Sequence, residues 1–398
     1  MRVKHMMAAA MVAAAVSTPA LSAEYVMSAS ADYSGPFADV MPSAMSGINA
    51  VAAWWNKDVG SKLGVKVDIK IYDMRYDAAV IARTWPSILS GDKPIMHLGF
   101  GSPDLTTLMK RLPNDKVPML IGTAMVGLVW QPNGWHFSIR PTYSHEFAGL
   151  FSYLQQKNGG KLKIGAVSTQ TAAGFVDQVK GIEKLAAMYP DRFEVVDIEW
   201  VAASPVSVTN NIRAMLEKKP DIIMVGGTTA QVIATASALE DLKADIPIVA
   251  STHNGLSEAA KGTALTKLNG DYSTFAFAPD NQKVLPLRDI YEANKGSDGQ
   301  WGLIAAQSSA QALLALRVLE KAVAKVGADN VTGQAMYDAL LANKFSEEEL
   351  KGALPALAYD TSAPFPIGDI KTKAQVVVDG KITPLTDDWI AVPKLDKW

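Results

Sequence analysis

Gly99, Phe100, Gly101 and Ser102 stand between a short apolar run and a helical pattern that opens at Pro103. A helix that starts there leaves backbone N–H groups without partners, and such groups bind anions. Ser102 suits the N-cap, Pro103 the first helical position and Asp104 the first turn. Gly99 and Gly101 let the backbone approach another group closely. A second junction follows, where "VPMLIG" (117–122) runs into Gly122, Thr123 and Ala124. A carboxylate between Ser102 and Thr123 would meet two hydroxyls and nearby N–H donors, with the helix-end partial charge replacing a buried counter-charge. The loop Tyr33-Ser34-Gly35-Pro36 adds Tyr33 and Phe37 as candidate cleft-lining aromatics.

Other chemistries lack their residues. The histidines are His5, His97, His136, His145 and His253, none at metal-ligand spacing. "HEFAG" at His145 has no second histidine one helical turn on. There is no G-x-S-x-G elbow and no phosphate loop of the G-x-x-x-x-G-K-[ST] type. "GFGSPD" has Asp104 where a dinucleotide-binding fingerprint needs its third glycine. The sequence thus predicts no enzyme, no metal and no cofactor.

The elements that would hold these loops alternate. Strands are expected at 24–31, 65–73, 94–99 and 117–122, with helices over 42–57, 78–89 and 103–111 between and after them. The theme restarts with strands at 163–168, 193–201, 221–227 and 246–251 and helices over 174–188, 206–218 and 230–242. Strands alternating with helices build parallel α/β sheets, and the restart implies two lobes. The chain would cross between lobes near "SIRPTYSHE" (138–146), near "YSTFAFAP" (272–279) and near Pro355. A long helix over 300–326 would return to the first lobe, and Asp379-Gly380 marks a type I′ hairpin. The expected organisation is a signal peptide at 1–23, first lobe at 24–141 and 275–355, and second lobe at 142–274 and 356–398.

Residues 1–23 have a basic start (Arg2, Lys4), an Ala-rich apolar run and small residues near Ala20 to Ala23. This is a secretory signal, too short for a membrane span. Its removal leaves 36 of the 38 basic residues against 40 acidic ones, a net charge of −4. That mild charge carries no basic stripe for nucleic acid or anionic lipid. The chain has no cysteine for a disulfide or a lipid anchor. A soluble periplasmic monomer is the expected product.

"SGPFADVMPSAMSGINAVAAWWNKD" (34–58) and "VKVDIKIYDMRYDAAVIARTWPSIL" (65–89) resemble the leucine/isoleucine/valine-binding branch of the type I periplasmic binding proteins. "KIGAV" (163–167), "KPDIIMVGG" (219–227) and "DIPIVAS" (245–251) match that branch's second-lobe strands. The resemblance implies two Rossmann-like lobes on a three-crossing hinge and an ABC permease as the membrane partner. It places the ligand carboxylate on Gly101, Ser102, Thr123 and Ala124. In the second lobe it assigns the ligand-facing aromatics to Thr171 or Ala172 and to Thr228, where this chain has none. The acid that grips an α-ammonium group falls on His253 or Asn254. An ammonium group buried without an anion is costly, so the expected ligand is a carboxylate without an amine. Candidates are an aromatic acid, a fatty or keto acid and a dicarboxylate, with a neutral amide or polyol as further options. His253 and Asn254 would then donate to a second polar group. A ligand sensor of the same fold, feeding a signalling partner, is the alternative function.

Overall fold

A computed structural model describes residues 22–122, 130–277, 285–297, 299–363, 365–366 and 370–398. Most of the segment expected to be a signal peptide, through residue 21, lies outside the described residues, as do Thr123 and Ala124.

The first lobe is built on β1 (Ala23–Ala31), β2 (Val65–Asp73), β3 (Met96–Gly99), β4 (Met119–Ile121) and β5 (His136–Ser138). They form a parallel sheet in the order β2-β1-β3-β4-β5. β3 and β4 are buried throughout, as parallel strands covered on both faces must be. α1 (Met41–Trp55) buries Ala44, Ile48, Val51 and Trp55, a helical stripe facing the core. α2 (Ala78–Gly91) starts at Asp77, whose carboxylate accepts from the N–H groups of Ala79 at 2.7 Å and Val80 at 3.1 Å. Its Ile81, Trp85 and Ile88 fill a separate apolar cluster with Leu105 and Leu108 of α3 (Ser102–Leu108).

After β5 comes α4 (Tyr143–Asn158), so the first crossing occupies 139–142. The second lobe contains β6 (Leu162–Ser168), α5 (Ala173–Met188), β7 (Phe193–Trp200), α6 (Thr209–Leu216) and β8 (Ile222–Val225). α7 (Thr229–Leu242), β9 (Ile248–Ala250) and β10 (Tyr272–Phe275) follow. α8 (Leu285–Asn294) precedes α9 (Leu303–Val326), which packs back on α1 in the first lobe's core.

β11 (Lys344–Phe345) and β12 (Leu357–Ala358) pair as a small ribbon. Leu357 and Tyr359 are buried in the first-lobe core, and Phe365 packs with the α2 cluster. The third crossing therefore falls after Phe365 rather than at Pro355. β13 (Lys371–Val378) joins the second sheet antiparallel to β10, with β14 (Lys381–Pro384) and β15 (Ile390–Ala391) beside it. The order is β14-β13-β10-β9-β8-β6-β7, a mixed sheet with a parallel centre. Asp379 and Gly380 both adopt positive φ and close the β13–β14 hairpin, as the turn type demands.

The crossings are tied by buried polar contacts. Arg140 Nε donates to Glu146 Oε1 at 2.6 Å, its Nη2 contacts Glu146 Oε2, and Nη2 also donates to Thr252 at 2.7 Å. Thr274 donates to the Glu146 carbonyl at 3.0 Å, and Thr372 to the Phe275 carbonyl at 2.7 Å. One network thus joins the first crossing to β10 and β13, where the chain passes between lobes.

Candidate functional site between the lobes

Strand order reverses between β1 and β3 in the first sheet and between β6 and β8 in the second. Ligands of such sheets sit in the crevice beyond the carboxyl ends at that reversal. Here loops from both reversals border one cavity. The first lobe supplies Phe37 and Val40 after β1, Tyr76 after β2 and Phe100, Gly101 and Ser102 after β3. Gly122 after β4 and Ile304 and Gln307 of α9 complete that wall. The second lobe supplies Tyr143, His253 and the start of α5 with Ala172, Gly174, Phe175 and Gln178.

The loop after β3 is held from beneath. Asp104 Oδ2 accepts from the N–H groups of Phe100 at 3.1 Å and Gly101 at 2.9 Å. Its Oδ1 accepts from Ser30 at 2.6 Å, and Ser30 and Ser28 lie 3.1 and 2.9 Å from the two ring nitrogens of His97. Burial pushes the Asp104 carboxyl up, but His97, Gly101 N–H and Ser30 together hold it below the usual carboxylate range. This corrects the expected use of the loop. Gly101, not Ser102, is the N-cap, and the N–H groups of Phe100 and Gly101 serve Asp104. Ser102 remains on the cavity wall, and Tyr76 brings a second hydroxyl to 3.4 Å from its Oγ.

Gly101 has a different partner from the one expected. A Cβ there would overlap Cε2 of Tyr76 and lie 3.0 Å from Cδ2 and Cζ of the same ring. The glycine admits this ring. Tyr76 is also edge-on to Phe37 at 4.8 Å and Phe100 at 6.1 Å between centroids. Arg75 and Tyr76 both have positive φ, 56° and 51°, in a turn closed by Asp77 N–H on the Met74 carbonyl at 3.0 Å. Two consecutive left-handed residues that are not glycine store strain, a feature that concentrates at functional sites. Burial pushes the Tyr76 hydroxyl up to about 12, so it stays a neutral donor.

In the second lobe His253 Nε2 lies 2.7 Å from the Gly227 carbonyl, which can only accept, so Nε2 carries the proton. Nδ1 then accepts from Ser251 at 2.9 Å. Its ring sits 5.4 Å from Tyr143 and 5.6 Å from Phe175. Burial, with Arg140 adding to it, lowers the imidazole to about 4 against the Gly227 contact. The side chain presents an aromatic surface with its nitrogens engaged.

Asn254 corrects its assignment too. It is fully buried, takes Ser251 N–H at 2.7 Å and donates to the carbonyls of Val225 and Gly227 at 3.0 and 2.9 Å. Three hydrogen bonds fix the loop after β9 and keep the amide out of the cavity lining. Thr228 caps α7, accepting from Gln231 N–H at 3.3 Å and donating to the Ala203 carbonyl, also outside the lining. Thr171 is exposed beside Thr169 and does not line the cavity, whereas its neighbour Ala172 does. Tyr33 is 48% exposed and held by Asp73 through its N–H, while Phe37 lines the cavity.

Tyr76, Gln178 and Gln307 were not legible as site residues. Gln178 is fully buried at the cavity, and neither amide atom has a hydrogen-bond partner. α5 begins at Ala172 with no side-chain cap. Among the described lining residues none is Asp, Glu, Lys or Arg. Glu258 pairs with Lys261 at 2.5 Å, and Asp32 accepts from Phe37 N–H at 2.7 Å; neither carboxylate lines the cavity. No group of metal-binding residues, and no helix long and apolar enough to cross a membrane, occurs among the described residues.

Among curated proteins none matches the sequence. Solved structures do match the architecture. A branched-chain amino acid ABC transporter protein from Thermus thermophilus, with bound valine, aligns at TM-score 0.77 and 15% identity over 91% of this chain and 95% of that one. A fatty acid ABC transporter substrate-binding protein from Thermomonospora curvata aligns at 0.74 and 16% identity, over 93% and 92%. An ABC transporter solute-binding protein from R. palustris, in complex with 4-hydroxybenzoate, aligns at 0.73 and 15%, over 94% and 98%. At such identities the likeness is one of fold. The sequence itself matches the family described as periplasmic binding protein over residues 28–374. That match runs from inside β1 to inside β13, through both sheets and every crossing, and the chain belongs to the periplasmic binding protein family.

Proposed function

We propose that this protein is the periplasmic substrate-binding component of an ABC importer, capturing a small carboxylate between its lobes and delivering it to membrane permease subunits. The observation that carries the ligand class is the lining: aromatic rings, neutral amides and hydroxyls, with no ionised side chain among the described residues. An α-ammonium group would find no anion there, and its burial would cost several kcal/mol. A carboxylate finds the hydroxyls of Ser102 and Tyr76 and the uncapped start of the sixteen-residue α5, whose partial charge is positive. The reading keeps Thr123 and Ala124, which lie outside the described residues, as the sequence's second candidate junction for the carboxylate. The rings of Phe37, Phe100, Tyr143 and Phe175 suit an apolar or aromatic body. The T. curvata and R. palustris relatives, described with a fatty acid and with 4-hydroxybenzoate, fit the same class. The lobes close on the ligand about the crossings at 139–142, after Phe275 and after Phe365. The reading includes export by the signal segment, action as a monomer and no catalytic turnover.

A thermal-shift screen over amino acids, aromatic acids and short-chain acids tests it. A ligand at about a hundred times its Kd stabilises by about 2.7 kcal/mol. The double variant Ser102→Ala/Thr123→Ala removes two hydroxyls, roughly 1.5–3 kcal/mol each for bonds to a charged group. Submicromolar binding of leucine or valine with no response to the acids overturns the ligand class. Wild-type affinity in the double variant overturns the site.

A further inference from the structure

The amide of Gln178 makes no hydrogen bond within the fold. Its side chain is fully buried, yet neither Oε1 nor Nε2 has a hydrogen-bond partner. It stands one turn after Gly174 on α5, and both line the interlobe cavity. Its Oε1 lies against Gly226, 3.1 Å from where a Cβ would be. Buried amides are almost always bonded, so an exception calls for a partner. His253 is engaged at both nitrogens, Asn254 at both amide atoms, and Ser144 and Ser168 donate to main-chain carbonyls of α5.

We infer that Gln178 reads a second, uncharged polar group on the ligand, one that both donates and accepts: a hydroxyl or a primary carboxamide. This rests on the proposed carboxylate-binding role and adds the far end of the substrate to it. The chemistry follows from the amide itself, which offers two donors and an acceptor. A carboxylate there satisfies Nε2 but sets its oxygens against Oε1. An ammonium group satisfies Oε1 but meets no anion among the described lining residues. A hydroxyl or carboxamide satisfies both ends. The substrate class is therefore a hydroxy or carbamoyl monocarboxylic acid. The site discriminates strongly because an analogue lacking the group leaves a buried amide unpaired.

The test is calorimetry on matched acids that differ only at the far end: phenylacetate with 4-hydroxyphenylacetate, and hexanoate with 6-hydroxyhexanoate and adipate. The wild-type protein should favour a hydroxylated acid over its plain partner by at least tenfold. It should also favour 6-hydroxyhexanoate over adipate. Gln178→Leu should fold with undiminished thermal stability and bring the pair to within twofold, by weakening the hydroxylated member. Gln178→Met serves the same purpose should leucine not pack. Equal binding of a pair by the wild-type protein, a preference that survives in both variants, or a preference for adipate overturns the inference while the carboxylate role stands. If none of these acids binds, the carboxylate reading falls and this inference with it.

Discussion

Gly101→Ala separates two reasons for a glycine in the loop after β3. One is close approach of a ligand to the backbone; the other is the Tyr76 ring. Gly101 has φ −142° and ψ −173°, extended backbone open to any residue, so alanine adds no backbone strain. The added methyl must displace Tyr76, because it would overlap Cε2 and crowd Cδ2 and Cζ. That ring has little room, being edge-packed on Phe37 and Phe100 and carried by a left-handed turn. Overpacking of this kind costs about 1–3 kcal/mol. Swinging the ring away from an edge-on neighbour forfeits about 0.5–1.5 kcal/mol for each, within the same range. Chemical denaturation followed by circular dichroism reads the stability. Calorimetry with the strongest acid of the screen reads the affinity, which should fall at least tenfold because a cavity wall has moved. In a Tyr76→Ala background the same substitution should cost under about 0.5 kcal/mol, since nothing is left to collide with. If Gly101→Ala keeps its stability but loses affinity in both backgrounds, the glycine serves the ligand directly and the reasoning fails.

Two further outcomes are expected. Burial lowers His253 to about 4, so it contributes stability above its unfolded value near 6.5 and loses it as pH falls below that. Relative to His253→Gln, the wild-type protein should lose about 1–2 kcal/mol between pH 7.5 and pH 5; parallel pH profiles would refute the assignment. Arg140→Met leaves Glu146 buried without its cation and should cost about 3–5 kcal/mol, while Arg140→Met/Glu146→Leu recovers most of it; equal losses in both would show that the ion pair itself stabilises the crossing.

Most of the architecture is legible in the chain because hydrophobic period and turn chemistry are local. Strand 65–73 alternates, α1 shows its buried stripe, and Asp379-Gly380 names its turn. The misplacements have local causes as well. β5 is three residues long, too short to show a period, and only its last residue, Ser138, falls in the expected crossing. The third crossing lies later than Pro355 because proline breaks a pattern without changing lobes. Leu357, Tyr359 and Phe365 still bury themselves against first-lobe elements far away in sequence.

The cavity is less legible, and the reason is physical. A side chain's role there depends on which of its atoms the fold has already used. Asn254 and Thr228 look like ligand contacts in a loop, but carbonyls and N–H groups nearby consume their bonding capacity. Asp104 looks like a first-turn acid, and its carboxylate takes the N–H groups of Phe100 and of the candidate ligand residue Gly101. Gln178 looks like any helix polar residue, and only burial with both amide atoms unpaired marks it. Tyr76 sits where a β-turn usually carries glycine or asparagine, in "MRYD", the one local cue in the sequence. A chain that sets arginine and tyrosine at two left-handed positions accepts strain of order 1–3 kcal/mol for each. Edge contacts with Phe37 and Phe100 offset only part of that strain, and the ring also borders the cavity. The turn makes sense as the device that sets a phenol beside Ser102 on the cavity wall, so the oddest backbone in the first lobe and the hydroxyls proposed for the ligand belong to one design.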